Sequence, residues 1–224
     1  MTPERLAKLH RALDRRQPDL TVFLDAVNKA QNLTSIVRTA DAVGIQRVHA
    51  TSDDALRLHR MIAGSAKHWV AVMLHRSARV GLAALREEGW RIVAAHGGGK
   101  RDYRDVDYTA KVAVVVGAEA IGLSDAARAA ADDQIAIPMQ GLGTSLTVSV
   151  ALGIILAEAQ RQRLAAGLYE KSRLTPEERD RTLFEWSYPE IAERFRQQGR
   201  PYPALTADGQ LASNPLTDVS TVTQ

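Results

Sequence analysis

Three segments of this 224-residue chain combine glycine or asparagine with polar side chains at the end of an apolar run. They are NLTSIVRTADAVGI (32–45), VVVGAEAIGLS (114–124) and IPMQGLGTSLTVSVA (137–151). Glycine lets backbone N–H and C=O groups approach a ligand closely. Ligands of open α/β sheets bind beyond the carboxyl ends of strands. The segments therefore predict loops that meet on one ligand, with Asn32, Glu119 and Ser145 among the polar groups available to it.

Each of these polar residues also has a purely structural interpretation. Asn32 is a good N-cap for a helix that Gly44 ends, Ser145 suits the N-cap of the last helix, and Glu119 suits a surface acid. The helix that begins near Asn32 has one apolar stripe, made of Leu33, Ile36, Val37, Ala40 and Val43. Arg38 falls nearly opposite that stripe, so we expect it to face solvent, RNA or a second subunit.

Six short apolar runs rich in β-branched residues predict strands. They cover residues 20–27, 47–51, 69–75, 90–96, 112–117 and 134–139. They lack strict alternation, which indicates burial on both faces, and helical patterns lie between several of them. This order is typical of an α/β fold with a mostly parallel sheet flanked by helices.

The two ends of the chain differ from this α/β pattern. Residues 1–18 predict an N-terminal helical extension, and residues 166–224 predict a charged helical extension that ends in a loose polar tail. The α/β domain between them would occupy residues 19–165. The N-terminal stretch is charged and lacks the apolar core of a secretory signal, and the longest apolar run is too short to cross a bilayer, so we expect a cytoplasmic protein.

Composition and motifs exclude several classes of site. The chain has no cysteine, and its six histidines lack metal-ligand spacing, so no metal is expected. HGGGKRD (96–102) fails both the dinucleotide and the P-loop patterns, and no serine-hydrolase elbow occurs. Arginine clusters, with a net charge of only +3, suit a polyanion such as RNA, although solvated helix faces explain them as well.

Six stretches occur in an order that identifies a family. They are RRQPDLTV, NLTSIVRTADAVG, VGAEAIGLS, IPMQGLGTSLTVSVA, EAQRQRLAAGLY and YPEIAERFRQQGRPYP. Over roughly residues 1–210 this set resembles the SPOUT superfamily of knotted methyltransferases, specifically the tRNA guanosine-18 2′-O-methyltransferase family. The resemblance implies a C-terminal deep trefoil knot, a homodimer with its site near the subunit interface, and S-adenosylmethionine as methyl donor to a tRNA ribose.

The resemblance also implies roles for individual residues. The catalytic residues would be Arg38, Asn32, Glu119, Ser145 and Thr147. The S-adenosylmethionine pocket would be lined by Ala95, Gly117, Ile137, Met139 and Leu146. RNA would be bound by Arg11, Arg161 and Arg163. We hypothesise that Arg38 orients the ribose hydroxyl and stabilises its alkoxide rather than accepting a proton, because a guanidinium group keeps its own proton in proteins.

Two positions depart from the family pattern, and several functions remain open. Thr147 stands where the family has asparagine, and Ala120 stands where it has lysine. The alternatives are 2′-O-methylation of another RNA, either rRNA or another tRNA position, and an RNA-binding protein that has lost catalysis. An α/β enzyme that does not act on RNA is a third alternative.

Overall fold

The computed structural model describes residues 1–51 and 69–212, and the chain divides into two compact units. The larger unit is Gln17–Glu170, and the smaller one joins Met1–Arg16 to the chain from Lys171 onward. Both predicted extensions therefore belong mainly to the same unit. His59, His68 and the part of the predicted tail beyond residue 212 lie outside the described residues.

The larger unit contains a seven-stranded sheet in which every described pairing is parallel. Its strands are β1 (Leu20–Asp25), β2 (Arg47–Thr51), β3 (Ala71–His75), β4 (Arg91–Ala95), β5 (Arg101–Asp102), β6 (Val112–Gly117) and β7 (Asp133–Ala136). The spatial order is β3-β2-β1-β6-β4-β7-β5. The predicted parallel sheet is confirmed, and all six predicted strands occur. The seventh, β5, has only two residues and leaves no periodic signal.

Helices cover both faces of this sheet. They are α2 (Ala30–Ala42), α3 (Ala78–Glu87), α4 (Asp125–Ala130) and α5 (Val148–Ala165). The smaller unit contains its own helices, α1 (Pro3–Asp14), α6 (Pro176–Ser187) and α7 (Pro189–Gln197). Alternate residues of β6 enter different cores. Val114 belongs to the core with α2 and α5, whereas Val115 belongs to the core with α3 and α4. Burial on both faces is why the strands lack alternation.

Helix boundaries correct two of the capping predictions. Helix α2 begins at Ala30 after Lys29, so Asn32 lies inside the first turn and is not the N-cap. Helix α5 begins at Val148 after Thr147, so Ser145 is not its N-cap either. The end of α2 is as predicted, because Gly44 has φ of 82° and the next amide donates back to Ala40 O at 2.9 Å.

The smaller unit is held together by contacts between the two ends of the chain. The Arg179 guanidinium donates to Asp14 Oδ1 at 3.0 Å, and the Arg16 guanidinium lies 4.7 Å from the centroid of the Trp186 ring. Residues 205–212, predicted to be part of the loose tail, instead form a turn in which Thr206 N donates to Gln210 O at 2.8 Å. The tail prediction is therefore wrong for this described part.

A pair of histidines, of which His49 is buried and His75 only partly so, joins β2 to β3 in the larger unit. His49 Nδ1 is 2.9 Å from His75 Nε2, and the two rings stack. Burial, assisted by the nearby His75, lowers the pKa of His49 to about 4. Because one nitrogen must donate and the other accept, the pair stays intact only while at least one ring is neutral.

Within residues 1–51 and 69–212, none of the helices has the length and apolar character needed to cross a bilayer. The trefoil knot implied by the resemblance stays a prediction.

Candidate active site

A cavity of about 390 Å³ lies beyond the carboxyl ends of β4, β6 and β7, against the start of α5. Its walls include all five predicted cofactor residues, namely Ala95, Gly117, Ile137, Met139 and Leu146. Three of the five predicted catalytic residues, Glu119, Ser145 and Thr147, line it as well. Because neighbouring parallel strands end at the same edge of the sheet, segments far apart in the sequence meet here.

The glycines around this cavity have different reasons to be glycine. A Cβ on Gly117 would lie 2.2 Å from the carbonyl carbon of Gly122, so the VGAEAIG loop folds tightly onto itself there. Gly141 and Gly143 differ, because a Cβ on either would meet no atom within 4 Å and neither has a positive φ. Packing thus demands glycine at Gly117, whereas the loop before α5 has open space around its glycines.

A chain of hydrogen bonds links the rim of the cavity to α2 and α5. Asn32 Nδ2 donates to Glu119 Oε1 at 3.0 Å, and Ser149 Oγ donates to Asn32 Oδ1 at 3.1 Å. The ammonium of Lys29 pairs with the other oxygen of Glu119, Oε2. These donors, Lys29 first and Asn32 second, lower the pKa of the Glu119 carboxyl group. Glu119 is therefore an ionised acceptor at neutral pH.

Arg38 lies on the outer side of α2, as the helical pattern predicts. Its side chain is exposed, and it has no hydrogen bond or ion pair with any other residue in the described ranges. It is not part of the cavity wall. The structure therefore joins Asn32 to Glu119 and leaves the Arg38 guanidinium open to a partner from outside this chain.

The structure contradicts the RNA-binding role expected of Arg163. Its side chain is fully buried, and its guanidinium donates to Asp19 Oδ1 at 2.6 Å and to Gln17 Oε1 at 2.9 Å. It also donates to the carbonyl oxygens of Tyr108 and Ala110, each at 2.8 Å. All three guanidinium nitrogens donate to protein oxygens. Arg163 is therefore a structural residue that RNA cannot reach.

Two other predicted RNA-binding residues are accessible. Arg161, two positions before Arg163, has a side chain that is 67% exposed and forms two hydrogen bonds with Glu158, at 2.7 and 2.8 Å. Arg11 is exposed on α1 of the smaller unit. Neither lines the cavity.

Sequence reasoning missed several residues of the site. His96 lines the cavity directly after β4, and its ring is fixed by the Gly98 amide, at 3.1 Å, and by Gln134 Oε1, at 2.9 Å. Lys29 and Ser149 complete the Glu119 hydrogen bonds. The position of His96 just after a strand is a signal that could have found it, whereas Lys29 and Ser149 are revealed only by tertiary contacts. Among the described residues, no cluster of three or more His, Cys, Asp or Glu side chains could hold a metal ion.

Two family models match almost the whole chain. The SpoU rRNA Methylase family matches residues 19–157, and the C-terminal SpoU rRNA methylase model matches residues 161–214. A protein from Escherichia coli K12 named tRNA (guanosine(18)-2′-O)-methyltransferase is 41% identical over 218 residues, which cover 96% of this chain and 95% of that one.

Solved structures resemble the chain in the same way. The crystal structure of an Aquifex aeolicus TrmH/SpoU tRNA modifying enzyme has a TM-score of 0.77 at 37% identity, covering 84% of this chain and 97% of that one. A SpoU methyltransferase from Streptomyces viridochromogenes, solved in complex with the cofactor AdoMet, has a TM-score of 0.56 at 27% identity. That match covers 68% of this chain and 62% of the other.

Proposed function

The chain belongs to the SpoU rRNA methylase family, and on that premise we propose that it transfers a methyl group from S-adenosylmethionine to the ribose 2′-hydroxyl of guanosine 18 in tRNA. The observation that carries this proposal is the cavity in which the predicted cofactor residues meet Glu119, Ser145 and Thr147. The E. coli relative, named for this reaction, matches the chain almost from end to end, including the smaller unit.

The cavity fits the proposed methyl donor. Its volume lies within the range of about 300–1,000 Å³ that is typical of small-molecule sites. Its walls combine apolar side chains such as Ile137 and Leu146 with backbone groups at the ends of β4 and β6. Such walls would hold an adenine ring by shape and by backbone hydrogen bonds. When bound, S-adenosylmethionine supplies an electrophilic methyl group on a sulfonium sulfur.

In the proposed reaction, a bond forms between the ribose 2′-oxygen and the methyl carbon. S-adenosylmethionine would supply the methyl group and leave as a neutral thioether, and the hydroxyl proton would pass to water. Arg38 would donate hydrogen bonds to the 2′-oxygen and stabilise its developing negative charge. Glu119 is a poor general base, because Lys29 and Asn32 occupy its oxygens and lower its pKa. Its role is to orient the Asn32 amide.

The RNA would be held by exposed arginines outside the cavity. Arg161 can exchange its bidentate pairing with Glu158 for a phosphate, since both ligands present two oxygens to the same planar guanidinium. Arg11 offers an exposed charge on the smaller unit. Contacts of this kind position the RNA without reading its sequence.

A homodimer and a cytoplasmic location complete the proposal. Three exposed apolar side chains on the loops and helix around the cavity, Ile121, Leu142 and Val150, suit burial against a second copy. An interface there would bring the partner subunit close to the cavity. The substrate, tRNA, would be met in the cytoplasm.

Incubation of the purified protein with S-adenosylmethionine and an unmodified tRNA transcript tests the function. Nuclease digestion and mass spectrometry should locate a single 2′-O-methylguanosine at position 18, and Arg38→Ala should abolish it. Methylation at another tRNA position, or of ribosomal RNA alone, would replace the proposed substrate. Binding of tRNA without cofactor binding would support the RNA-binding alternative.

A further inference from the structure

Lys29 forms an ion pair that the fold does not need. It lies at the N-cap position of α2, in the loop after β1, and its side chain is 65% exposed. Its ammonium nevertheless pairs with Glu119, 90 positions further along the chain. An exposed pair of this kind contributes little to stability. We therefore expect the main effect of this ion pair to be on the orientation of the Glu119 side chain.

Every oxygen and nitrogen in the side chains of Glu119 and Asn32 has a role in one connected set of hydrogen bonds. Lys29 occupies one oxygen of Glu119, and Asn32 occupies the other. The Asn32 amide oxygen accepts from Ser149 on α5, so the amide cannot flip without losing both bonds. The Val148 amide also donates to Glu119. Three segments of the chain, namely the start of α2, the loop after β6 and the start of α5, are thereby fixed around the rim of the cavity.

Removing the ammonium of Lys29 would leave Glu119 Oε2 without its charged partner. The carboxylate could then rotate away from Asn32, or pair with another cation near the cavity, such as the donor sulfonium. Either change would loosen the first turn of α2, the helix that carries Arg38. We propose that Lys29 is a positioning residue of methyl transfer, an inference that rests on the proposed function. Lys29 holds Glu119 and, through it, Asn32 in the reactive arrangement.

Single-turnover methylation of tRNA at saturating RNA and cofactor measures this role. Lys29→Gln should lower the rate by about threefold to tenfold, while Lys29→Arg, which keeps a cation, should recover most of it. Lys8→Gln removes the same charge from an exposed position on α1 and should leave the saturated rate unchanged. Melting temperatures should agree within about 1 °C for Lys29→Gln and the parent protein, because the pair is exposed.

A double-mutant cycle with Glu119→Gln separates positioning from other effects. If Lys29 acts through Glu119, the variant with both changes should be no slower than Glu119→Gln alone. Additive losses would overturn the inference, and so would a wild-type rate for Lys29→Gln. A raised KM for tRNA with an unchanged saturated rate would also overturn it, since Lys29 would then be an RNA contact. If the parent protein methylates no RNA, the proposed function fails first.

Discussion

Asn32 and Glu119 are 87 positions apart in the chain, yet their side chains form a hydrogen bond of 3.0 Å at the rim of the cavity. This bond joins the first turn of α2 to the loop after β6. It replaces the capping role that the sequence favours for Asn32. The same helix carries Arg38 about two turns later, so the position of Arg38 depends on a tertiary contact.

Replacement of Arg38 should lower the rate of methyl transfer without changing the stability of the fold. Because its side chain is exposed and unpaired within the described part of the chain, Arg38→Ala should change the free energy of unfolding by less than about 0.5 kcal/mol. The single-turnover rate should fall at least about a hundredfold. Arg38→Lys should remain slow, because an ammonium lacks the planar donor pair. A near-normal rate for this variant would contradict the geometric role.

Arg163 and Arg161 should have opposite phenotypes. Arg163→Met leaves the acceptors of Asp19 and Gln17 without their cation in a buried site, so unfolding should become easier by about 3 kcal/mol. Arg161→Gln should leave stability unchanged, and it should reduce the salt dependence of tRNA binding by about one unit of slope. Urea denaturation and binding titrations at several salt concentrations check both. Equal stability of the two variants would contradict the assignment of Arg163 to the core.

Two glycine substitutions test whether glycine is needed for packing of the protein or for close approach of the ligand. Gly117→Ala puts a methyl group against the backbone of Gly122 and should destabilise the protein by about 2 kcal/mol. Gly143→Ala meets open space, so stability should change by less than about 0.5 kcal/mol. Cofactor affinity, measured by calorimetry, should still fall about fivefold, because in the proposed complex that backbone would close on the ligand. Unchanged affinity would mean that the loop stays clear of the cofactor.

The buried His49, paired with His75, predicts an acid-sensitive step in stability. The pKa of His49 is about 4 in the folded protein and about 6.5 when unfolded, so the unfolded chain binds the additional proton between these values. Stability contributed by neutral His49 is therefore complete above pH 6.5 and is lost as pH falls toward 4. Urea midpoints measured across this window should fall, and the fall should be shallower in His49→Leu. Identical slopes would contradict a buried neutral His49.

The sequence predicts the sheet well because parallel strands buried on both faces leave continuous apolar runs. It predicts the cavity walls through the family motifs, since Gly117 and Ile137 lie near the ends of those runs and Leu146 lies in the loop motif that follows the last one. It fails for Arg163, because nothing local distinguishes a buried arginine from the exposed Arg161. Its side-chain acceptors, on Gln17 and Asp19, lie more than 140 positions away, and only the folded chain brings them close. Lys29 and Ser149 escape prediction for the same reason.

The contacts of the smaller unit also determine when that unit can form. Helix α1 leaves the ribosome before the strands do, but Arg179, which contacts it, and Trp186, which contacts Arg16 just after it, are synthesised more than 160 residues later. The strands of the larger unit all lie between these partners and can pair before the smaller unit is complete. Synthesis thus gives the two units a fixed order of assembly, with the first residues of the chain among the last to find their contacts.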